Sequence, residues 1–167
     1  MLYLIDGYNL LFRFFHSEKK LETQRNLAIK FLQEKTSLLK INAHLIFDAH
    51  NQDIETPSFT SSKTLKIIYT PKGQTADDYI LERIFLSKTP SQIMVITSDR
   101  SLQNKAKDLN ARTQSIDDFI DQLYLNETKA KKAHRKLEEE TLQDTKYDIQ
   151  RLLKIFEEKL KDETGWD

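Results

Sequence analysis

Acidic residues directly follow short apolar runs at three places in the chain, and this pattern predicts a binding site for a hard cation. Asp6 follows residues 2–5, and Asp48 and Asp99 come at the ends of similar runs. In open α/β sheets, ligands bind beyond the carboxyl ends of the strands, so these three carboxylates are expected to meet in one pocket. Crowded carboxylates repel one another as free anions but can together bind Mg²⁺ or Mn²⁺.

A fourth acidic site opens a helical pattern at residues 75–86. Thr75 and Asp78 have the spacing of a capping box, in which Asp replaces the usual Glu. Asp77 has no such capping explanation, and neighbouring helical residues point about 100° apart. We therefore assign Asp77 to the ion and Asp78 to a supporting role.

Each of the other carboxylates also has a simpler interpretation. Asp6 and Asp99 could cap the helices that follow them, and Asp48 could end its strand in a turn. Each simpler interpretation is favoured when its residue is taken alone. The repetition of the same arrangement at successive strand ends favours a shared site.

Short β-rich runs alternate with helical patterns along the chain, which predicts parallel strands joined by crossover helices. The predicted strands are 2–5, 43–47, 65–69, 92–97 and 111–114. The predicted helices are a short one ending at residue 15, then 22–39, 75–86, 100–109 and 116–125. The polar residues 49–63 are predicted to form the longest loop. The fold class is therefore α/β.

The C-terminal part differs in composition, since residues 126–163 contain neither Gly nor Pro and are rich in charge. We predict a core domain at 1–125 and a charged helical extension at 126–167, with two helices that break near 141–145. The extension carries an apolar stripe, which is expected to pack on the sheet or to pair with another subunit, so the oligomeric state stays open. The stripe consists of Ile149, Leu152, Leu153, Phe156 and Leu160.

The extension also carries a basic cluster, which is a candidate surface for RNA phosphates, with an ordinary solvated surface as the alternative. The basic cluster consists of Lys129, Lys131, Lys132, Arg135 and Lys136.

Composition excludes several other classes of protein. The chain has 26 Lys and Arg against 26 Asp and Glu, so no global positive charge indicates nucleic-acid binding. It has no cysteine, which excludes disulfides and thiolate metal sites and suits a cytoplasmic protein. It lacks an apolar run of the ~18 residues that a membrane helix needs, so no membrane partner is expected. It also lacks a phosphate-binding loop and an evident Ser-His-Asp framework.

Four segments, in order along the chain, match the motifs of a known family. They are Leu4-Ile5-Asp6-Gly7-Tyr8-Asn9, Ile46-Phe47-Asp48-Ala49-His50, Thr75-Ala76-Asp77 and Thr97-Ser98-Asp99-Arg100. They resemble the YacP-like branch of the NYN nucleases, relatives of the PIN domain, and the resemblance covers nearly the whole chain. It implies a three-layer α/β/α sandwich with a mostly parallel central sheet, followed by C-terminal helices. It also implies a metal-dependent ribonuclease, and this family includes a ribosome-associated mRNA endonuclease.

The resemblance implies a catalytic set that consists of Asp6, Asp48, Asp77, Asp99 and Asn9. In the mechanism we expect, Asp6, Asp77 and Asp99 hold Mg²⁺ or Mn²⁺, with support from Thr75, Asp78 and Ser98. Asp48 completes the ligand shell of the metal ion or orients the attacking water. The expected RNA contacts come from Arg13, Arg100, Tyr8, His50 and the basic cluster. Arg offers forked donors for phosphate, whereas Tyr8 and His50 could stack on a base or simply pack.

The start of the chain, residues 4–16, also resembles the 5′-nuclease domains of DNA polymerases and flap nucleases. Those proteins carry Gly-x-Glu-Ala-Asp-Asp and Thr-Gly-Asp-Lys-Asp motifs. In this chain Thr75 and Ser101 stand where two of those carboxylates belong. A complete two-metal flap nuclease is therefore disfavoured, and we expect one well-bound ion, with a second arriving with substrate.

Two further classes remain as alternatives. A non-catalytic RNA- or ribosome-binding module would keep the fold and the basic cluster without turnover. An aspartyl-phosphate phosphatase would need a second Asp two residues after Asp6, where the chain has Tyr8. The phosphatase is therefore the weaker of the two.

Overall fold

The computed structural model describes residues 1–14, 20–48 and 58–163. The chain divides into two compact units between Glu127 and Thr128. In the described ranges, no helix has the combination of length and apolar character that crossing a membrane requires.

The first unit contains a six-stranded sheet in the order β3-β4-β2-β1-β5-β6. The strands are β1 (Leu2–Asp6), β2 (Asn42–Phe47), β3 (Ser58–Ser61), β4 (Leu65–Tyr69), β5 (Ile93–Ile96) and β6 (Arg112–Gln114). Every neighbouring pair is parallel except β3 with β4. The predicted α/β class with a mostly parallel central sheet is confirmed.

Helices cover both faces of this sheet. They are α1 (Gly7–Phe14), α2 (Leu21–Leu39), α3 (Ala76–Phe85), α4 (Arg100–Asp108) and α5 (Ile116–Glu163). Successive residues of a strand point to opposite faces, and accordingly Ile5 packs in one apolar cluster with α1, α2 and the start of α5. Leu4 packs in a second cluster with α3 and α4. Two apolar layers on one sheet make the predicted three-layer sandwich.

The register of the central strands brings the predicted acidic residues to one edge. β1 lies between β2 and β5, with Asp6 opposite Ile46 and Ile5 opposite Ile96. Asp48 and Asp99 therefore come just after strands that end level with β1. Because all three strands run in the same direction, the residues that follow them emerge at the same end of the sheet.

Most predicted boundaries differ from the observed ones by a single residue, but three predictions were wrong. The helix predicted at 116–125 does not end there, since α5 continues to Glu163. Residues 58–61 fall in the predicted loop at 49–63, yet they form β3, which pairs antiparallel with β4. A four-residue strand is too short for a clear alternating pattern, and it forms because the edge of β4 offers unpaired backbone groups. The predicted break at 141–145 is also absent, since α5 is continuous there. Without Gly or Pro, residues of modest helix propensity do not end a helix.

Side chains of the second unit are described only in part. Ile149 and Leu153 of the apolar stripe are exposed to solvent. The other members of that stripe lie outside the described side chains. The five residues of the basic cluster are described, and all of them are exposed on α5.

Candidate active site

An open pocket of about 330 Å³ lies where β1 and β2 end and α3 begins. Three of the four predicted carboxylates, those of Asp6, Asp48 and Asp77, line this pocket. The remaining lining residues are Tyr8, Asn9, Phe12, Thr75 and Ala76. The structure thus places two of the three strand-end carboxylates, Asp6 and Asp48, in one acidic pocket with Asp77 from the start of α3.

Asp6 is a buried carboxylate at the end of β1, with only 8% of its surface exposed. One of its oxygens accepts the backbone N–H of Asn9 at 3.1 Å, and the other accepts the hydroxyl of Thr97 at 3.2 Å. Burial is the main cause that raises the pKa of Asp6 to about 6. The hydrogen bond from the N–H of Asn9 lowers this pKa, whereas the negative charges of Asp77 and Asp48 raise it. A carboxylate in this setting gains from a nearby cation.

Asp77 stands in the first turn of α3 and is electrostatically coupled to all the other predicted carboxylates. Burial raises its pKa, followed by the charges of Asp99 and Asp48, while Lys105 opposes the rise. Among the residues that the structure describes, none donates a hydrogen bond to the Asp77 carboxylate. Asp77 is therefore the carboxylate of the site that is most available to an external ligand.

Asp48 connects the end of β2 to the start of α3. Its Oδ1 atom accepts the backbone N–H of Ala76, the first residue of that helix. The first N–H groups of a helix have no partner within it and carry a partial positive charge, so a carboxylate is well placed there. This contact fixes Asp48 beside Asp77.

Asp99 combines the two interpretations that the sequence left open. It is the N-cap of α4, where its Oδ1 atom accepts the N–H groups of Ser101 at 2.7 Å and Leu102 at 3.3 Å. Its charge also raises the pKa of Asp77. Asp99 is not among the described lining residues of the pocket, so it stands at the border of the site.

The polar residues assigned to support make contacts that position these carboxylates. Thr75 caps α3, since its hydroxyl oxygen accepts the N–H of Asp78 at 3.1 Å and its hydroxyl donates to the Asp78 carboxylate at 2.8 Å. The side-chain oxygen of Asn9 accepts the N–H of Ser98 at 2.8 Å. The Ser98 hydroxyl in turn accepts the N–H of Ile116 at 3.3 Å. The bonds of Ser98 tie α1 and α5 to the end of β5, and the bonds of Thr75 fix the first turn of α3.

Gly7 allows α1 to begin directly against the end of β2. A Cβ atom at this position would lie 2.4 Å from the ring of Phe47 and 2.7 Å from the carbonyl oxygen of Ile46. No side chain fits in that space. The close approach keeps Asp6 and Asn9 beside Asp48.

The donor set fits a hydrated divalent cation rather than an ion enclosed by protein alone. In the described ranges, no three His, Asp or Glu side chains are grouped so that they enclose a metal ion. Asp6, Asp48 and Asp99 each use one or both oxygens to accept hydrogen bonds, whereas Asp77 is open. Mg²⁺ commonly keeps several waters and uses one or two carboxylates together with substrate phosphates, and such an ion suits this pocket.

The residues assigned to RNA are spread over several places. Tyr8 lines the pocket. Arg100 is exposed at the start of α4. Arg13 forms a forked ion pair with Asp117 of α5, at 2.7 Å, so its guanidinium is engaged within the protein. His50 lies outside the described residues, and the basic cluster belongs to the second unit.

Besides Thr97, which holds Asp6, two further residues at the site were not predicted. Phe12 lines the pocket with an exposed ring, and its position four residues after Tyr8 on α1 is the sequence signal that could have found it. Lys105 acts on Asp77 from α4. Nothing in the spacing of Lys105 indicates that role, because it depends on how α3 and α4 pack.

Comparisons with known proteins agree with this architecture. A family model described as "YacP-like NYN domain" matches residues 3–163. The crystal structure of Rae1 (YacP) from Bacillus subtilis is similar with a TM-score of 0.61 and 24% identity, covering 99% of this chain and 95% of that one. The structure of a point mutant of the same protein has a TM-score of 0.63 and 24% identity, covering 82% of each chain. A comparison with curated protein sequences found no match.

Proposed function

Because the chain belongs to the YacP-like NYN domain family, we propose that it is a metal-dependent endoribonuclease that hydrolyses RNA phosphodiester bonds. Family membership indicates nuclease chemistry in general. The observation that supports the specific proposal is the open carboxylate of Asp77 at the strand ends, coupled to the charges of Asp48 and Asp99. We further propose mRNA on the ribosome as the substrate, on the strength of the family resemblance.

Asp77 would hold Mg²⁺ or Mn²⁺, in part through water molecules, with Asp6 and Asp48 beside it. Asp99 would add a further negative charge at the border of the site. A divalent cation in such a site lowers the pKa of water and neutralises charge that develops on the phosphate.

The protein groups around the ion have separate tasks. Asp6 is held by hydrogen bonds from Asn9 and Thr97, so its carboxylate keeps a fixed orientation at the pocket. Asp48 has one oxygen on the N–H of Ala76, and its second oxygen can orient the attacking water and accept its proton. Asn9 uses its carbonyl on Ser98, which leaves its amide N–H₂ to donate to a phosphate oxygen.

RNA would be held by groups outside the carboxylate pocket. Arg100 at the start of α4 and the basic cluster are proposed to bind phosphates. Arg13 is proposed to act mainly through its ion pair with Asp117, which holds α1 to α5.

The test replaces Asp77 with Asn and compares cleavage of single-stranded RNA in Mg²⁺, in Mn²⁺ and in EDTA. Cleavage should fall by about a hundredfold or more, as expected when a group that stabilises the transition state is lost, and EDTA should abolish it in the wild type. Asp108→Asn, at an exposed position at the end of α4, is the matched control and should cleave normally.

Equal cleavage by a folded Asp77→Asn protein would refute the assignment. The competing possibility is an RNA- or ribosome-binding module of the same fold without turnover. That module would bind RNA equally well in EDTA and after the Asp77 substitution, and the wild type would show no cleavage.

A further inference from the structure

Phe12 exposes a large aromatic ring at the mouth of the carboxylate pocket. It is 74% exposed and lines the same pocket as Asp6 and Asp77. The other large apolar residues of α1 have partners in the protein. Leu10 and Leu11 are buried, and Phe14 packs on Phe31 with ring centroids 5.5 Å apart. The Phe12 ring is thus the part of α1 that the core does not use.

The ring is the outer member of an aromatic row that begins in the sheet. Phe47 stacks on Tyr69 with centroids 5.7 Å apart, and Tyr8 meets Phe47 edge-on at 5.4 Å. Phe12 follows at 6.5 Å from Tyr8, four residues later on the same helix face. Because the inner members are packed, Phe12 stands on a fixed support. A supported flat ring is a surface on which another flat group can stack without first being ordered.

The chemistry of the pocket limits which flat group could stack on Phe12. A ligand here must offer a flat apolar face to Phe12 and also place an anionic group near the ion held by the carboxylates. A nucleotide of RNA has both features. Bases of a duplex are already stacked on both faces, whereas unpaired bases are free to stack on aromatic side chains.

We propose that Phe12, supported by Tyr8, is the stacking platform for an unpaired nucleobase next to the scissile phosphate, and that it restricts the enzyme to single-stranded RNA. This proposal rests on the ribonuclease function proposed above. Phe85 at the end of α3 provides a matched comparison, since it is 75% exposed but is not among the described lining residues of this pocket.

The first experiment measures binding without turnover. The Asp77→Asn protein in EDTA is titrated against a labelled, unstructured 12-nucleotide RNA, against its duplex, and against an abasic ribose-phosphate chain of equal length. Phe12→Ala should weaken single-strand binding by about tenfold, as loss of one stacked base predicts, and should leave the other two ligands unaffected. Phe12→Leu should resemble Phe12→Ala, because it keeps an apolar side chain but no ring. Phe85→Ala should change nothing.

A second variant reports stacking directly. Trp166 is the only tryptophan of the chain, so Phe12→Trp in a Trp166→Phe background has a single reporter at the platform. This variant should bind single-stranded RNA at least as tightly as the parent protein does. The bound RNA should quench the fluorescence of the introduced tryptophan. Binding of duplex should leave the emission unchanged.

The stacking proposal is overturned if Phe12→Ala and Phe85→Ala bind single-stranded RNA alike, if Phe12→Leu retains full affinity, or if the Asp77→Asn protein binds no RNA. Its failure is separable from failure of the proposed function. Absence of cleavage by the wild type in both Mg²⁺ and Mn²⁺ would reject the nuclease assignment, whatever Phe12 does. Normal cleavage with an unchanged KM in Phe12→Ala would reject the platform alone.

Discussion

Asp6 shows how a residue suited to the site can be costly to the fold. Burial holds the pKa of its carboxyl at about 6, against 3.8 for an ordinary aspartate. The folded protein therefore binds an extra proton between these pH values. Stability from this group is fully present below about pH 4 and is lost as the pH rises through about 6. At neutral pH the charged form of Asp6 therefore lowers the stability of the folded protein.

The first prediction follows from this cost. Asp6→Asn should raise the unfolding free energy of the metal-free protein at pH 7.5 by up to about 3 kcal/mol, since a pKa shift of about 2 units has that value. It should also abolish cleavage. Urea unfolding in EDTA, at several pH values between 4 and 7.5, would measure the difference between the two proteins. A difference that does not grow as the pH rises would contradict the prediction.

Gly7 leads to the second prediction. Gly7→Ala places a methyl group 2.4 Å from the Phe47 ring and 2.7 Å from a backbone oxygen that cannot easily move. We expect a loss of about 1–3 kcal/mol in the unfolding free energy, together with reduced cleavage, because α1 must shift away from β2. Gly73→Ala is the control, since its Cβ would meet no atom within 4 Å although its φ is +83°. Its cost of about 1–2 kcal/mol should come from backbone strain alone.

At this scale the sequence predicted which residues meet but not how each is held. Asp6 and Asp48 converge because strand ends converge, and that follows from the pattern, whereas Asp77 joins them from the start of α3. The bond from the N–H of Ala76 to Asp48 and the influence of Lys105 on Asp77 depend on where α3 and α4 come to lie. Sequence spacing carries no information on those packing details.

At the scale of elements, α2 and α5 are joined by a largely buried ion pair. Lys35 of α2 donates to Glu127 of α5, and its ammonium group lies 4.9 Å from the ring centroid of Tyr124 and 5.5 Å from that of Phe31. Two charges in this setting stabilise each other but are costly if separated. The pair joins residues that are 92 positions apart in sequence, so no local pattern could predict it.

The third prediction concerns this pair. Lys35→Met should lower the unfolding free energy by about 3 kcal/mol, because it removes the ammonium group that pairs with Glu127 in this largely buried setting. Adding Glu127→Gln should restore much of that loss, which chemical denaturation of the single and double variants would measure. Additive losses in the double variant would show that the two side chains act independently.

The elements themselves were largely predictable. The alternation of β-rich and helical patterns placed five of the six described strands and the helices α1 to α4, because buried faces impose these periods. β3 was missed because an edge strand of four residues depends on its neighbour rather than on its own composition. The break near 141–145 was a wrong prediction, since weak helix formers within a long Gly- and Pro-free run do not interrupt it.

For the whole molecule, equal numbers of acidic and basic residues conceal an uneven distribution of charge. The pocket carries carboxylates, whereas Lys129, Lys131 and Lys132 of the basic cluster are exposed on α5. Lysines that contact phosphates release counterions from the RNA, so affinity falls with salt by about 0.7 logarithmic units per contact on a single strand. A neutral protein can therefore bind RNA through one local surface.

The last prediction follows. Replacing Lys129, Lys131 and Lys132 by Gln should weaken binding of single-stranded RNA and reduce the slope of log affinity against log salt by up to about 2. The control replaces three exposed lysines of the first unit, Lys30, Lys88 and Lys107, and carries the same change in net charge. Titrations between 50 and 200 mM KCl, on the order of the range where the effect is large, would measure both slopes. Co-sedimentation with ribosomes would test the same surface against the proposed partner. Equal slopes for the two triple variants would mean that affinity follows net charge alone, and the basic cluster would lose its assignment.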